Sequence, residues 1–254
     1  MNKPEVELIY KPASKPMSVA VFLSGSGTNF IAIYEEQKRL EKMGDNHFGR
    51  IDLVFTNVPG CKGAQIAEEY GVLVADLSSK KFFELIGKDP NDEKARSYYD
   101  AAVISLVESM CRPDLIVLAG YRRRLSSLFL NRYRNKVINL YPGDITKEYL
   151  VKGVDASVQA LRAGERSIKA TVYLQRENER FGPSILQSKP IFLEGYSESD
   201  KDALNEKIRE QAEWTIFPYA VHKLIASGTL AVDGEDNIYL NGVKIERAGL
   251  QQGA

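Results

Sequence analysis

The feature that most constrains the fold is a regular alternation of short apolar segments with segments of helical periodicity. The apolar segments are short and show no strict polar alternation, which is typical of strands covered on both faces. They lie at MSVAVFL (17–23), IDLVFTN (51–57), VLVAD (72–76), PDLIVLAG (113–120) and KVINLYP (136–142). This alternation predicts an α/β fold, doubly wound, with a mainly parallel sheet and helices on both faces.

The pattern changes after Pro142. Two strand-like segments, 170–175 and 189–195, follow with no helix between them, so we expect an antiparallel pair. A long helix is predicted over 199–228, bent before Pro218 because proline interrupts helical hydrogen bonding. The last segment resembles a hairpin turning at 234–237. An antiparallel C-terminal portion is therefore expected.

Composition indicates one domain and a small-molecule partner. Residues 1–16 hold three prolines and three lysines and are interpreted as an extended leader, with a single domain over 17–254. Lys plus Arg and Asp plus Glu both total 34, which gives no support for nucleic acid or a membrane as the main partner. A signal peptide, a membrane-length apolar run and a CxxC or zinc pattern are not found. We expect a cytoplasmic protein without a metal.

A glycine turn follows the first long strand and is a candidate phosphate site. Its glycines allow a tight turn, and the next helix presents free N–H groups with the positive end of its dipole. The residues concerned are Gly25, Ser26, Gly27, Thr28 and Asn29. Phe30 replaces the third glycine of a dinucleotide fingerprint, which makes a nicotinamide-dependent oxidoreductase a weak alternative. We favour phosphate binding over the alternative, a turn that only reverses the chain.

Two other strand ends carry polar side chains. Arg122, Arg123 and Arg124 follow the fourth strand and are either a solvated run or partners of an anionic ligand. Asn139 lies near the end of the fifth strand and either caps a loop or points its amide at a ligand. Neither histidine of the chain lies at a strand end, so histidine chemistry has little support.

Taken in order, several segments resemble the glycinamide ribonucleotide formyltransferases of purine synthesis. The matching segments are SGSGTN, VFTNVPGCKGAQIAEEYGV, PDLIVLAGYRRRLSSLFL, VINLYP, QAL, GE, TVYL and GPSILQSKP, between about residues 18 and 230. The resemblance implies the formyltransferase fold and transfer of a formyl group from 10-formyltetrahydrofolate, as co-substrate, to the amine of glycinamide ribonucleotide, without a metal.

The resemblance also assigns catalytic positions, and two of them are replaced. Asn139 matches the family asparagine, which implies a donor to the tetrahedral oxyanion. Tyr141 stands at the position of the family histidine, and a phenol with an ordinary pKa of about 10 is not cationic at pH 7. Gly143 stands where the family has serine.

The family aspartate is replaced as well. Counting back from the Gly-Pro pair at 182–183 places Arg180 at this position, which reverses the charge. Glu179 is adjacent and supplies a carboxylate if the loop is shifted by one residue. Asp144 is a second candidate carboxylate, on weaker grounds.

The substrate-binding positions are better preserved. The turn at 25–29 matches the segment that holds the substrate phosphate, and Glu213 matches a glutamate that contacts the nucleotide. Arg123 and Leu125 match positions that line the folate site, whereas Arg122 replaces an apolar residue.

Three hypotheses remain at this point. We favour a folate-dependent formyltransferase with a divergent active site, because proximity alone lowers a barrier by several kcal/mol. The alternative is a catalytically impaired homologue that binds nucleotide or folate in a regulatory or scaffolding role. Catalytic groups act as a unit, so an enzyme that has lost two of them often loses most of its rate. A related one-carbon or carbamoyl transferase ranks third. The partners implied are a phosphorylated amine and a folate, and a homodimer is left open.

Overall fold

A computed structural model describes residues 5–151, 153–177 and 179–253, and an eight-stranded mixed sheet forms its centre. The strands in spatial order are β14 (Leu250–Gln251), β9 (Ser184–Gln187), β8 (Thr171–Leu174), β6 (Val137–Tyr141), β5 (Leu115–Leu118), β2 (Met17–Leu23), β3 (Gly49–Thr56) and β4 (Val74–Asp76). Strands β4, β3, β2, β5 and β6 are parallel, whereas β8 is antiparallel to both β6 and β9. The predicted fold class is confirmed.

Helices cover both faces of this sheet. They are α1 (Thr28–Lys42), α2 (Lys62–Glu69), α3 (Ser79–Ile86), α4 (Glu93–Met110), α5 (Ser127–Arg132), α6 (Ala156–Arg162), α7 (Lys201–Ile208) and α8 (Trp214–Tyr219). Val21 of β2 packs in the core that contains Phe30 of α1, while Phe22 packs on the opposite face with Tyr99 of α4. Because successive side chains of a strand point to opposite faces, every residue of β2 is buried, which explains its unbroken apolar sequence.

The order of the strands creates a switch point between β2 and β5. From β2 the chain builds β3 and β4 on one side, then returns to add β5 and β6 on the other. Ala119, just beyond β5, donates its N–H to the carbonyl of Phe22 at 2.8 Å. In open α/β sheets, ligands bind beyond the carboxyl ends of the strands at such a point. The fold therefore brings the glycine turn and the arginine run side by side.

The antiparallel pairing after β6 differs from the prediction. Segment 170–175 contains β8, but its partner is Ser184–Gln187, not 189–195. Ile191–Phe192 (β10) instead pairs with Ser167–Ile168 (β7). The error arose because Gly182-Pro183 and Lys189-Pro190 mark the intervening residues as a loop, although Ser184–Gln187 is fully buried.

The C-terminal hairpin is confirmed, and it belongs to a second sheet. Leu230–Asp233 (β11) pairs antiparallel with Ile238–Leu240 (β12), which is followed by Val243–Lys244 (β13). Val6–Leu8 (β1), from the N-terminal segment, lies on the other side of β11. None of the helices in the described part of the chain combines the length and apolar character needed to cross a membrane.

The predicted long helix is interrupted ahead of Pro218. A π-helical segment, Arg209–Glu213, separates α7 from α8, and a second one, Ala220–Ile225, follows α8. Single π turns inside helices occur frequently at functional sites. The first of these segments ends on Glu213, which lines a cleft at the switch point between β2 and β5.

Candidate active site

The glycine turn between β2 and α1 is packed against the start of α2. Gly27 adopts the left-handed conformation, with φ of 77°. A Cβ atom on Gly27 would lie 2.6 Å from the Cα of Gly63, and Gly63 donates its N–H to the carbonyl of Gly25 at 2.8 Å. Both the backbone conformation and the contact therefore require glycine at 27. Part of the glycine signal in the sequence has this structural cause.

Ser24 joins the ends of three strands. Its hydroxyl donates to Oδ1 of Asn57 at 2.6 Å and accepts from the backbone N–H of Arg122 at 2.9 Å. The amide of Asn57 in turn donates to the hydroxyl of Ser79 at 3.0 Å. This chain of hydrogen bonds fixes the segment after β5 relative to the glycine turn.

A cleft of about 310 Å³, here called the turn cleft, opens above these strand ends. Its walls are residues 25–29 of the turn, 118–122 at the end of β5, Asn139 and Leu140 of β6, Pro142, and Glu213. The glycine turn, predicted from its own residues, and Glu213, predicted from the resemblance, thus line one cavity.

Glu213 is a buried carboxyl group at the base of the turn cleft. It is 7% exposed, and its Oε2 accepts from Nδ2 of Asn29 at 2.8 Å. Burial raises the pKa of Glu213, and the hydrogen bond from Asn29 opposes this shift. The Oδ1 atom of Asn29 is buried and has no partner within the described residues. The pair therefore holds polar atoms that a ligand with hydroxyl groups can satisfy.

A second cleft, here called the arginine cleft, has a volume of about 390 Å³. Arg123, Arg124 and Leu125 form one wall, and residues 175–177 and 179–180 form another. Asn139 lines both this cleft and the turn cleft. A group held in either cleft therefore reaches the Asn139 side chain, which places this amide between the two cavities.

The amide of Asn139 is oriented by β8. Its Nδ2 donates to the Tyr173 hydroxyl at 3.0 Å and, at a longer 3.5 Å, to Oε1 of Gln175, while its Oδ1 accepts from the N–H of Leu140 at 2.8 Å. Asn139 and Tyr173 are direct partners in the β6–β8 register. Burial raises the pKa of Tyr173 above its ordinary value, so the phenol stays neutral. Sequence reasoning missed both Tyr173 and Gln175, and only the strand register reveals them.

Tyr141 packs beside the clefts. Its ring centroid lies 4.7 Å from that of Phe181, and Tyr141 is not among the described residues that line either cleft. Burial raises the pKa of its phenol, and its buried hydroxyl has no hydrogen-bond partner within the described residues. A Cβ atom on Gly143 would lie 2.7 Å from Cε1 of Tyr141. The ring therefore occupies the space that a side chain at 143 would need.

The two carboxylates that the sequence offers as replacements for the family aspartate, Glu179 and Asp144, lie in different places. Glu179 lines the arginine cleft together with Asn139. Asp144 lines neither cleft, and its Oδ1 accepts from the Thr146 hydroxyl at 2.6 Å and from Nε2 of Gln187 at 2.8 Å. Two further carboxylates of the arginine cleft, Glu93 and Glu177, were not singled out from the sequence. Of the two sequence candidates, the structure brings only Glu179 to the cleft.

Arg180 lines the arginine cleft and lies over the aromatic pair. Its guanidinium carbon is 4.9 Å from the ring centroid of Phe181 and 6.0 Å from that of Tyr141, and it donates to the carbonyl of Leu150. Tyr141 and Arg180 thus both lie against Phe181, and Gly143 adjoins Tyr141.

The side chains of Arg122, Arg123 and Arg124 lie in three different environments. The guanidinium of Arg123 lies 4.6 Å from the ring centroid of Phe83 and donates to the carbonyl of Pro90 at 3.3 Å. Arg124 is exposed at the arginine cleft, whereas Arg122 is exposed at the turn cleft. Leu125 is 7% exposed and closes the arginine cleft from below.

Two clefts thus meet at Asn139, at the switch point of the mixed sheet. The chain belongs to the formyl transferase family, whose family model matches residues 17–221. Over 233 residues it is 28% identical to phosphoribosylglycinamide formyltransferase of Escherichia coli (strain K12), a match covering 92% of this chain and 98% of that protein. Within the family, the chain therefore groups with the phosphoribosylglycinamide formyltransferases.

Two further comparisons concern part of a longer relative and the fold of a solved structure. The chain is 30% identical over 217 residues to the trifunctional purine biosynthetic protein adenosine-3 of Drosophila melanogaster; the match covers 85% of this chain but spans only 14% of that much longer protein. Its fold is shared with a solved phosphoribosylglycinamide formyltransferase from Coxiella burnetii, with a TM-score of 0.74 and 23% identity over 93% of this chain and 99% of that one.

Proposed function

We propose that this chain is an active formyltransferase with a divergent active site, which moves a formyl group from 10-formyltetrahydrofolate to the amine of glycinamide ribonucleotide. The observation that supports this most is the position of Asn139 between the turn cleft and the arginine cleft. Transfer between two substrates requires the reacting atoms to be held together, and a polar donor at the junction is where they meet. The name of the similar Escherichia coli protein, phosphoribosylglycinamide formyltransferase, agrees with the proposed acceptor.

The proposed reaction needs a donor for one developing negative charge. The amine nitrogen forms a bond to the formyl carbon, and the carbonyl oxygen becomes an oxyanion. The bond from that carbon to the folate nitrogen then breaks, and the proton lost by the amine goes to the leaving nitrogen. Nδ2 of Asn139 supplies the oxyanion donor by exchanging its longer contact with Gln175 for one with the substrate. Such a donor contributes about 3 kcal/mol to catalysis.

We assign proton handling to Glu179, because it shares the arginine cleft with Asn139. Arg180 brings a positive charge to the same cleft and stabilises the oxyanion. Tyr141 contributes through packing against Phe181, which keeps Arg180 beside the cleft. In this assignment, Glu179 and Arg180 together replace the missing histidine and aspartate.

Two observations favour the alternative, a catalytically impaired homologue that binds nucleotide or folate. Asn139 already donates to two protein acceptors, and Tyr141 lies outside both clefts. A ligand must therefore compete for the amide, and no group at 141 is positioned to take over a catalytic proton transfer. In such a protein both clefts still bind ligands while transfer is absent.

The experiment that separates the two functions is a transfer assay with 10-formyl-dideazafolate and glycinamide ribonucleotide. We expect turnover by the wild type, and a loss of about 100-fold to 1,000-fold in kcat for Asn139→Ala. Asn46→Ala, at an exposed asparagine in the loop after α1, serves as the matched control. Absence of turnover, with glycinamide ribonucleotide still bound in calorimetry, would establish the alternative.

A further inference from the structure

The turn cleft has one cationic side chain among the described residues that line it, Arg122. The turn itself, residues 24–29, supplies backbone N–H groups and hydroxyls but no lysine or arginine. The other strongly acidic or basic group in the wall is Glu213, whose pKa is raised by burial. An anion bound in this cleft therefore finds its counter-charge at Arg122.

Arg122 is anchored at its backbone and free at its guanidinium. Its N–H donates to the Ser24 hydroxyl at 2.9 Å, which ties it to the turn. Its guanidinium has no hydrogen bond or ion pair with any residue that the structure describes, and the side chain is exposed. The next arginine along, Arg123, is instead held over Phe83 and bonded to Pro90.

We infer that Arg122 is a specificity-determining residue, whose guanidinium pairs with the phosphate of the acceptor substrate. Guanidinium and phosphate form charge-assisted, often bidentate hydrogen bonds, which neutral donors at a helix N-terminus do not match in strength. Arg122 replaces an apolar residue of the family that the chain resembles, so this contact is particular to the present chain. It makes the turn cleft select phosphorylated over unphosphorylated amines. The identity of the amine rests on the proposed function, whereas anion binding by Arg122 does not.

The test compares binding of phosphorylated and unphosphorylated ligands by calorimetry. Ribose 5-phosphate, glycinamide ribonucleotide and its riboside are titrated into the wild type, Arg122→Met, Arg122→Lys and Arg124→Met. We expect Arg122→Met to raise the Kd of both phosphates about tenfold and to leave the riboside within about twofold. Arg122→Lys retains part of the affinity, because lysine keeps the charge but not the planar fork.

Arg124→Met is the matched control, since Arg124 is also exposed, two residues away and in the other cleft. It is expected to leave the phosphate Kd unchanged. Equal phosphate affinities for the wild type and Arg122→Met would overturn the inference, as would a wild type that binds neither phosphate. Thermal melting checks that each variant is folded.

Kinetics distinguish this inference from the proposed function. If the wild type transfers formyl groups, Arg122→Met raises KM for glycinamide ribonucleotide about tenfold and leaves kcat within about twofold, because the phosphate contact is uniform binding. If the wild type is active and Arg122→Met leaves KM for glycinamide ribonucleotide unchanged, the inference about Arg122 is wrong and the proposed function stands. If the wild type is inactive but its affinity for phosphates still depends on Arg122, the proposed function is wrong and the inference about Arg122 stands.

Discussion

At the scale of single residues, the contacts of Asn139 determine what a ligand must displace. Its stronger donor contact is to Tyr173 at 3.0 Å, deep in the sheet, and the weaker one is to Gln175 at the rim. The Asn139 amide is therefore held in one orientation, while one of its N–H groups can change its acceptor from Gln175 to a ligand. Preorganised donors of this kind lower a barrier without reorganising during the reaction.

Tyr173→Phe tests this orientation. Removing the phenol oxygen leaves the half-buried Asn139 amide without its shorter acceptor contact, so we expect the free energy of unfolding to fall by about 1 kcal/mol. Urea denaturation followed by circular dichroism measures the change. Tyr98→Phe, at a tyrosine that is 55% exposed on α4, is the control and should stay within about 0.5 kcal/mol of wild type. A similar loss in both variants would contradict the assignment.

Gly143→Ser tests the packing between positions 141 and 143. A side chain at 143 meets Cε1 of Tyr141 at 2.7 Å and Cβ of Ala156 at 3.0 Å, so overpacking is expected to cost about 1–3 kcal/mol. Tyr141→His in the same chain should recover part of that loss, because the smaller ring frees space. A double-mutant cycle in urea measures the coupling, for which we expect about 1 kcal/mol. Strict additivity of the two changes would refute the contact.

How far the site could be predicted also depends on individual residues. The turn and Asn139 are predictable from their places at strand ends, and Glu179 and Glu213 from the resemblance; the structure brings all of them to two adjoining clefts. Tyr173 and Gln175 could not be found in this way, because their relation to Asn139 depends on the antiparallel register of β6 and β8. Contacts between strands distant in sequence leave no local pattern.

At the scale of elements, the strands were predictable where burial is complete on both faces. The unbroken apolar sequences of β2 and β5 follow from helices packed on each side. The pairing of β8 was predicted wrongly because β9 is only four residues long and flanked by proline and glycine. The π-helical segment at Arg209–Glu213 was also missed, since the helical pattern continues through it.

The contact between the glycine turn and α2 gives a prediction at this scale. In Gly63→Ala the new methyl group would lie 2.9 Å from the Cα of Gly27 and 3.0 Å from the carbonyl oxygen of Gly25. Both are backbone atoms, so the turn must shift, and we expect about 1–3 kcal/mol of destabilisation. Ribose 5-phosphate binding should weaken as well.

The control for this variant is Gly234→Ala, where a Cβ atom meets nothing within 4 Å and φ is not positive. Calorimetry and thermal melting compare the two. If Gly63→Ala binds the phosphate with wild-type affinity at a temperature where it is folded, the position of the turn is not set by α2.

At the scale of the whole molecule, the two chain ends are connected to the arginine cleft. Arg176, which lines that cleft, donates to Asp236 of the C-terminal hairpin at 2.7 Å and to Oδ1 of Asn135 at 2.8 Å. Asn135 donates in turn to Glu7 of β1 at 3.0 Å. The small sheet formed by β1 and the hairpin thus supports one wall of the candidate site, which no local sequence pattern indicated.

Stability should depend on pH through His222. This side chain is fully buried; its Nδ1 accepts from the N–H of Gly49 at 3.2 Å, and its Nε2 lies 3.0 Å from the carbonyl of Ile33. Burial lowers the pKa of His222 to about 4, whereas in the unfolded chain it is about 6.5. Between these values the unfolded state binds more protons, so the free energy of unfolding falls as pH drops.

The expected loss attributable to His222 between pH 7 and pH 4 is about 3 kcal/mol. Urea denaturation across this range measures it, with His222→Asn as the comparison, because asparagine keeps a polar group that does not titrate. The difference between the two pH curves should shrink as pH falls. Parallel curves would show that His222 is not the group responsible.

The packing of Tyr141 against Gly143 also has a consequence for descent. If an ancestor had the serine at 143 that the resemblance implies, its Cβ atom would lie 2.7 Å from Cε1 of Tyr141 on this backbone, whereas glycine leaves the ring its space. The route that avoids the clash therefore exchanges serine for glycine before histidine for tyrosine. The reverse route begins with tyrosine to histidine at 141, which makes room for serine at 143. In this family, relatives with glycine and histidine are the expected intermediates, and relatives with serine and tyrosine should be rare.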